Sequence, residues 1–193
     1  MAQAAVQTRE FSLSDEEFAF LGALATAHTG IAFPPHKRDL MYGRLVRRLR
    51  ATGCESFAQY CAWLQGGDAA EEIDEMVNAV TTNLTSFFRE AHHFEHLTRE
   101  LVVPFAQSAE ARRLRIWSAG CSSGMEAYSI AMTMLAADAH IARRDAKILA
   151  TDIDSRMLAA ARAATYAASD LARIPEAHRH GLMTHADGSA TMH

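Results

Sequence analysis

The stretch RLRIWSAGCSSGMEAYS, residues Arg113 to Ser129, decides the fold when it is read together with KILATDID, residues Lys147 to Asp154. The first apolar run closes in a loop of small residues with glycines at Gly120 and Gly124, and a helix-like stretch follows. The second apolar run ends in Asp152. This is the strand–loop–helix–strand opening of a doubly wound nucleotide-binding sheet, with an acid at the tip of the second strand. Glycine lets a cofactor approach the backbone closely, and an acid at the second tip suits two ribose hydroxyls. A plain strand-to-helix turn also favours Gly and Ser, so the loop alone is ambiguous; Asp152 at the right separation tips the reading toward function. The loop lacks the G-x-G-x-x-G spacing of a dinucleotide site. A nucleoside cofactor without a pyrophosphate fits better, and S-adenosyl-L-methionine is the commonest of these.

Working outward, the 193 residues are enough for one or two domains with a sizeable core. Hydrophobic residues make up 49% and charged residues 22%, an ordinary globular balance. The net charge of −4 gives no reason to expect nucleic acid as a partner. Three cysteines, Cys54, Cys61 and Cys121, cannot all pair and form no C-x-x-C, which predicts reduced thiols in a cytoplasmic protein. The opening MAQAAVQTREF has no basic segment followed by an apolar one, and the longest nearly apolar helix, Ala127 to Ala137, is too short to span a bilayer. No membrane insertion is expected.

The pattern divides the chain in two. Residues 11–90 read as all-helical. Ser14 and Glu17 have capping-box spacing, with Phe18, Leu21, Leu24 and Ala25 behind them, and Gly30 with Pro34-Pro35 ends that helix. A second helix over about 36–50 carries the stripe Leu40, Met41, Leu45 and Leu49. A third near 56–64 carries Phe57, Tyr60 and Trp63, and a fourth covers about 69–80. In the bridge that follows, Asn83 and Thr85 are placed to cap a helix bearing Phe87, Phe88 and Arg89, and Phe87, Ala91, Phe94, Leu97 and Leu101 mark one buried helical face. Residues 91–193 form the second part, and from about Arg115 the pattern runs strand, helix, strand, helix, the signature of a parallel sheet with crossover helices. After Tyr166 the periodicity fades. Only two convincing strands can be counted, which leaves an open sheet edge and makes self-association through that edge an expectation.

Several side chains have both a structural and a chemical reading. Glu126 is three residues after Ser123 and could complete a capping box, or receive the ammonium group of a cofactor. Asp154 is placed to cap the next helix, because Met157, Leu158 and Ala161 follow it at helical spacing. Arg89 is either a surface residue or a clamp on a carboxylate, which its planar fork suits. Lys37, Arg38, Arg44, Arg47 and Arg48 make the second helix basic in an acidic chain, either a solvated face or a docking surface for an acidic helix. His92, His93 and His96 are spaced for metal binding but lack an evident further ligand, so no metal site is expected.

These residues together resemble the chemotaxis receptor methyltransferases, the CheR family of protein-glutamate O-methyltransferases. The resemblance rests on Asn83-Leu84-Thr85-Ser86-Phe87-Phe88-Arg89-Glu90, Trp117-Ser118-Ala119-Gly120-Cys121-Ser122-Ser123-Gly124, Tyr128-Ser129-Ile130-Ala131 and Ala150-Thr151-Asp152-Ile153-Asp154, in that order, and on Arg44-Leu45 with Arg48-Leu49. It implies an α/β protein: an all-helical receptor-docking domain, then a Rossmann-like class I methyltransferase domain. Asn83, Thr85, Arg89, Gly120, Gly124, Glu126 and Asp152 would face S-adenosyl-L-methionine, with Glu126 on its amino group, Asp152 on its ribose and Arg89 at the reacting centre. The product would be S-adenosyl-L-homocysteine. The basic helix would meet the acidic cytoplasmic helix of a methyl-accepting chemotaxis receptor.

Two departures stand out. The family usually has two glutamates and a proline after the loop glycine, where this chain has Met125-Glu126-Ala127. Family members also continue through later strands, and the β-rich insertion some of them carry is expected to be absent here. The parallel sheet is therefore expected to be incomplete. The alternative function is a non-catalytic module that binds a receptor or another signalling protein.

Overall fold

The computed structural model describes residues 9–108, 113–179, 182–185 and 188–192. Two compact units divide between Thr81 and Thr82, so residues 82–90, expected at the end of the first domain, belong with the second.

Among the described residues four α-helices build the first unit: α1 (Asp15–Thr29), α2 (Arg38–Thr52), α3 (Phe57–Leu64) and α4 (Ala70–Val80). The start of α1 is a full capping box: Ser14 Oγ accepts from Glu17 N at 3.1 Å and Glu17 Oε2 accepts from Ser14 N at 2.7 Å. Gly30 ends the helix at φ 72°, a left-handed geometry that glycine adopts without strain. The buried stripe of α2 is Met41, Leu45, Val46 and Leu49. Leu40 is exposed instead, because it stands about 140° round the helix from Leu45. In α3, likewise, Phe57, Tyr60, Cys61 and Leu64 face inward and Trp63 does not. Leu21, Met41, Leu45, Leu49, Phe57, Tyr60 and Met76 are fully buried together, each contributing about 1.5–3 kcal/mol of apolar burial.

The second unit opens on an irregular segment, not on the expected helix. Phe88 and Glu90 have φ of 50° and 56°. Two left-handed residues within three positions cannot continue a right-handed helix. Helix α5 starts only at Ala91 (Ala91–Leu97) and runs through a π turn, Thr98–Val102, into α6 (Val103–Gln107). The extra residue of the π turn shifts the buried face, so Val102 is buried and Leu101 is not.

Strands β1 (Arg113–Ser118) and β2 (Asp145–Ala150) pair in parallel, from Arg113 opposite Asp145 to Ser118 opposite Ala150. Helix α7 (Met125–Ala137) connects them and α8 (Ser155–Ala163) follows. Leu114, Ile116, Ala146 and Ile148 pack with Phe94, Val102, Phe105, Ile130 and Met134 on one side of the sheet. Trp117 and Leu149, register partners on the other side, are exposed. Neither strand has a second neighbour among the described residues.

The tail is not featureless. Strands β3 (Thr165–Tyr166), β4 (Leu182–Thr184) and β5 (Ala190–Met192) form an antiparallel sheet in the order β3-β5-β4, with α9 (Ala168–Leu171) after β3. This corrects the expectation of a tail without periodicity or added β-structure: strands of two or three residues are too short to display alternation. Phe87, Met125, Met132, Ala164, Tyr166, Ile174 and Met192 close a second apolar cluster that ties this sheet to α7. No helix among the described residues is long and apolar enough to cross a membrane.

Candidate functional site

The loop after β1 is locked to the tip of β2. Thr151 N donates to Ser118 O at 3.0 Å and Cys121 N to Thr151 O at 2.9 Å, carrying the ladder past both strands. Gly124, at φ 89°, is the N-cap of α7, with no side-chain cap. The expected capping box of Ser123 and Glu126 is therefore absent. Glu126 turns to the buried Ser118 instead, whose Oγ donates to Glu126 Oε1 at 2.6 Å. A hydroxyl on a carboxylate is a short, charge-assisted bond. It fixes one oxygen of the exposed Glu126 and leaves the carboxylate with acceptor sites for a further donor.

The two loop glycines have different reasons for being glycine. A Cβ on Gly124 would stand 2.9 Å from Ala161 Cβ and 3.1 Å from both the Tyr128 ring and the Tyr166 hydroxyl. Its positive φ and the close approach of α8 explain Gly124 without any ligand. Gly120 is exposed, and no atom of the protein lies within 4 Å of the position a Cβ would take. The space beside Gly120 is thus open to a cofactor pressed against the backbone.

Asp152 and Asp154 belong to a closed ring of hydrogen bonds. Ser122 N donates to Asp152 Oδ2 at 2.7 Å, and Asp154 N donates to Asp152 Oδ1 at 2.9 Å. Asn83 Nδ2 donates to Asp154 Oδ2 at 2.7 Å, and Ser122 Oγ returns to Asn83 O at 3.3 Å. The ring joins three separate chain segments. Asp152 keeps two of its four acceptor sites beyond these bonds. Asp154 is fully buried and also caps α8, as expected, accepting from Arg156 N and Met157 N at 2.9 and 3.3 Å.

The 82–90 segment is fastened at further points. Phe88 N donates to the buried Ser129 Oγ at 3.0 Å, the Phe87 and Tyr166 rings meet edge-on at 4.9 Å, and Arg173 donates to Ser86 Oγ at 3.2 Å. Arg89, exposed, donates one Nη to Leu84 O at 2.9 Å. Thr85 is half-buried and caps no helix. Met125, where the family pattern has an acid, is buried in the apolar cluster beside Phe87 and Tyr166.

Sequence reasoning missed Ser118, Ser122 and Ser129. The one available signal was a small hydroxyl residue at the end of β1. Cys121 is buried, and burial, followed by the charges of Asp152 and Glu126, pushes its thiol pKa up. Such a thiol is a poor nucleophile. The rings of His92 and His93 meet at 4.2 Å, and among the described residues no group of three or more His, Cys, Asp or Glu could hold a metal ion.

In the first unit, the five basic residues proposed from sequence for docking are largely engaged internally. Arg44 donates to Val80 O and Thr81 O at the C-terminus of α4. Arg48 forms a bidentate pair with the buried Glu72, reaches Glu75 at 3.2 Å, and shares Glu72 with Tyr60, whose hydroxyl donates at 2.6 Å. These bonds raise the pKa of Arg48, and burial with the Glu72 carboxylate raises that of Tyr60. Arg38 bonds to Asp15 and to Leu13 O, and Lys37 to Ala32 O. Arg47 is exposed, with no side-chain partner among the described contacts.

The loop open at Gly120 thus joins the ends of β1 and β2, with the carboxylates of Glu126 and Asp152 each held by a residue of that loop region. The comparisons give the family. The CheR methyltransferase SAM binding domain matches residues 83–193, and the CheR methyltransferase all-alpha domain matches residues 16–81. The chain belongs to the CheR methyltransferase family, and S-adenosyl-L-methionine is the cofactor of its second domain. It is 43% identical over 167 residues to the chemotaxis protein methyltransferase of Salmonella typhimurium, covering 85% of this chain and 54% of that one. It is 41% identical over 169 residues to the chemotaxis protein methyltransferase of Escherichia coli K12, covering 86% and 56%. With the probable chemotaxis protein methyltransferase of Rhizobium etli it shares 44% over 151 residues, covering 78% and 56%. The chain spans about half the length of the curated relatives it matches.

Proposed function

We propose that this chain transfers the methyl group of S-adenosyl-L-methionine to glutamate side chains of chemotaxis receptors. One arrangement carries the reading. Glu126 and Asp152, from different elements, are held by Ser118 and by the Ser122 amide, two residues before and two residues after the open Gly120. In this reading Asp152 accepts from the ribose through its spare lone pairs, Glu126 takes the amino group, and the backbone at Gly120 lies against the cofactor. Gly124 supports the loop from behind. Asn83 and Thr85 line the site from the 82–90 segment, and Arg89 clamps the acceptor carboxylate with the donors that Leu84 O leaves spare.

When bound, S-adenosyl-L-methionine supplies an already activated sulfonium methyl. A glutamate carboxylate is ionised at neutral pH, so the acceptor needs alignment and shielding from water and no catalytic base. The helical unit is the proposed receptor-docking domain, with the exposed Arg47 and the half-buried Lys37 and Arg38 meeting an acidic receptor helix. The test is transfer of a tritiated methyl to a soluble receptor cytoplasmic fragment. Label released as methanol by mild base identifies glutamate esters; base-stable label contradicts the glutamate assignment. No label from a chain that binds S-adenosyl-L-homocysteine favours the non-catalytic docking module. Self-association through the edges of β1 and β2, which have no further strand among the described residues, is a separate proposal, and a clean monomer by light scattering contradicts it.

A further inference from the structure

We infer that Asp154 is a positioning residue for the cofactor site, acting through Asn83. This rests on the cofactor site proposed above and adds to it a residue that touches no cofactor. The fully buried carboxylate divides its work. Oδ1 caps α8 through Arg156 N and Met157 N, while Oδ2 accepts from Asn83 Nδ2 at 2.7 Å. A cap alone needs one oxygen, and serine or asparagine provides it as well as aspartate. The second oxygen reaches 71 residues back along the chain to the start of the 82–90 segment.

Further along the segment, Arg173 bonds to Ser86, Tyr166 packs against Phe87 and Ser129 accepts from Phe88 N. Asn83 is also touched by Ser122 Oγ, through a longer bond of 3.3 Å. Of these two bonds on Asn83, the one from Asp154 is the shorter and the charge-assisted one, and it holds Asn83 at the head of the stretch Asn83, Leu84 and Thr85. Leu84 O in turn anchors Arg89. Through Asp154 N on Asp152, the same residue fixes this half relative to the proposed ribose acid.

The test is a set of variants, each shown to be folded by circular dichroism, with two readouts: affinity for S-adenosyl-L-homocysteine and the rate of tryptic cleavage after Arg89. Asp154→Ser keeps a cap oxygen and removes the bond to Asn83. We expect affinity to fall at least tenfold and cleavage after Arg89 to speed up at least fivefold, with cleavage elsewhere in the chain unchanged. Asp154→Asn restores both to within about threefold, because Asn83 can turn its amide and accept from the new amide group. In an Asn83→Ala background, Asp154→Ser adds nothing further to either readout. Unchanged cleavage in Asp154→Ser, failure of Asp154→Asn to rescue, or a full additional loss in the Asn83→Ala background would each overturn the inference. Should Asp154→Ser not fold, Asn83→Ala alone, which leaves the cap intact, must reproduce the faster cleavage. If the unsubstituted chain binds no S-adenosyl-L-homocysteine, the cofactor-site reading fails, and the cleavage rates still decide whether Asp154 holds the segment.

Discussion

The buried hydroxyl of Ser118, at the end of β1, donates to the exposed carboxylate of Glu126 in the first turn of α7, at 2.6 Å. If Glu126 receives the amino group of the cofactor, Ser118 determines where that carboxylate stands. Ser118→Ala is expected to weaken S-adenosyl-L-homocysteine binding about tenfold, roughly 1.4 kcal/mol, close to the lower end of the range for a hydrogen bond to a charged group. Titration calorimetry reads it. Unaltered affinity contradicts the role given to Glu126.

Gly124→Ala is expected to destabilise the second unit by about 1–3 kcal/mol. The new methyl meets Ala161 Cβ at 2.9 Å, and the backbone stays at φ 89°. Gly120→Ala meets no protein atom within 4 Å and should leave stability nearly unchanged while reducing cofactor affinity. Thermal melts and calorimetry on the two variants separate a packing glycine from a ligand-facing one.

Arg48→Ala leaves Glu72, only 6% exposed, without its bidentate partner. Breaking such a pair costs about 3–5 kcal/mol, so the melting temperature of the helical unit should drop steeply. Arg47→Glu should leave the melt unchanged and weaken binding to a receptor fragment. Charge reversal at Arg44 or Arg48 would confuse unfolding with lost docking.

Cys61 gives a pH signature. Burial, followed by the Glu17 charge, raises its thiol from 9.0 to about 11. The unfolded chain ionises this thiol first, so its stabilising contribution is complete below pH 9.0 and is lost as pH rises toward 11. A Cys61→Ala variant should therefore show a shallower alkaline decline in melting temperature than the parent chain; parallel declines contradict the shift.

Local signals in the sequence were reliable where the partner lies close in the chain. Ser14 and Glu17 cap α1, and Asp154 caps α8, as their spacing indicates. The parallel β1–β2 pair follows from two apolar runs that end in small residues and an acid. The polar residues before Phe87 suggest a helix cap at Asn83. Its real partner is Asp154, and the helix is prevented by left-handed Phe88 and Glu90, which no propensity scale anticipates. Arg44 and Arg48 looked like a surface stripe because their partners, Val80, Thr81, Glu72 and Glu75, come from α4 and its end. In each of these cases the missing information was a contact distant in sequence.

The most direct measurement is calorimetric titration of this chain with S-adenosyl-L-homocysteine, beside Asp152→Ala. The account predicts micromolar binding to the parent chain and none to the variant, because Asp152 both offers acceptors to the ribose and holds the Ser122 amide and Asp154 in place. Absence of binding to a parent chain that circular dichroism reports as folded, or equal binding to both proteins, contradicts it.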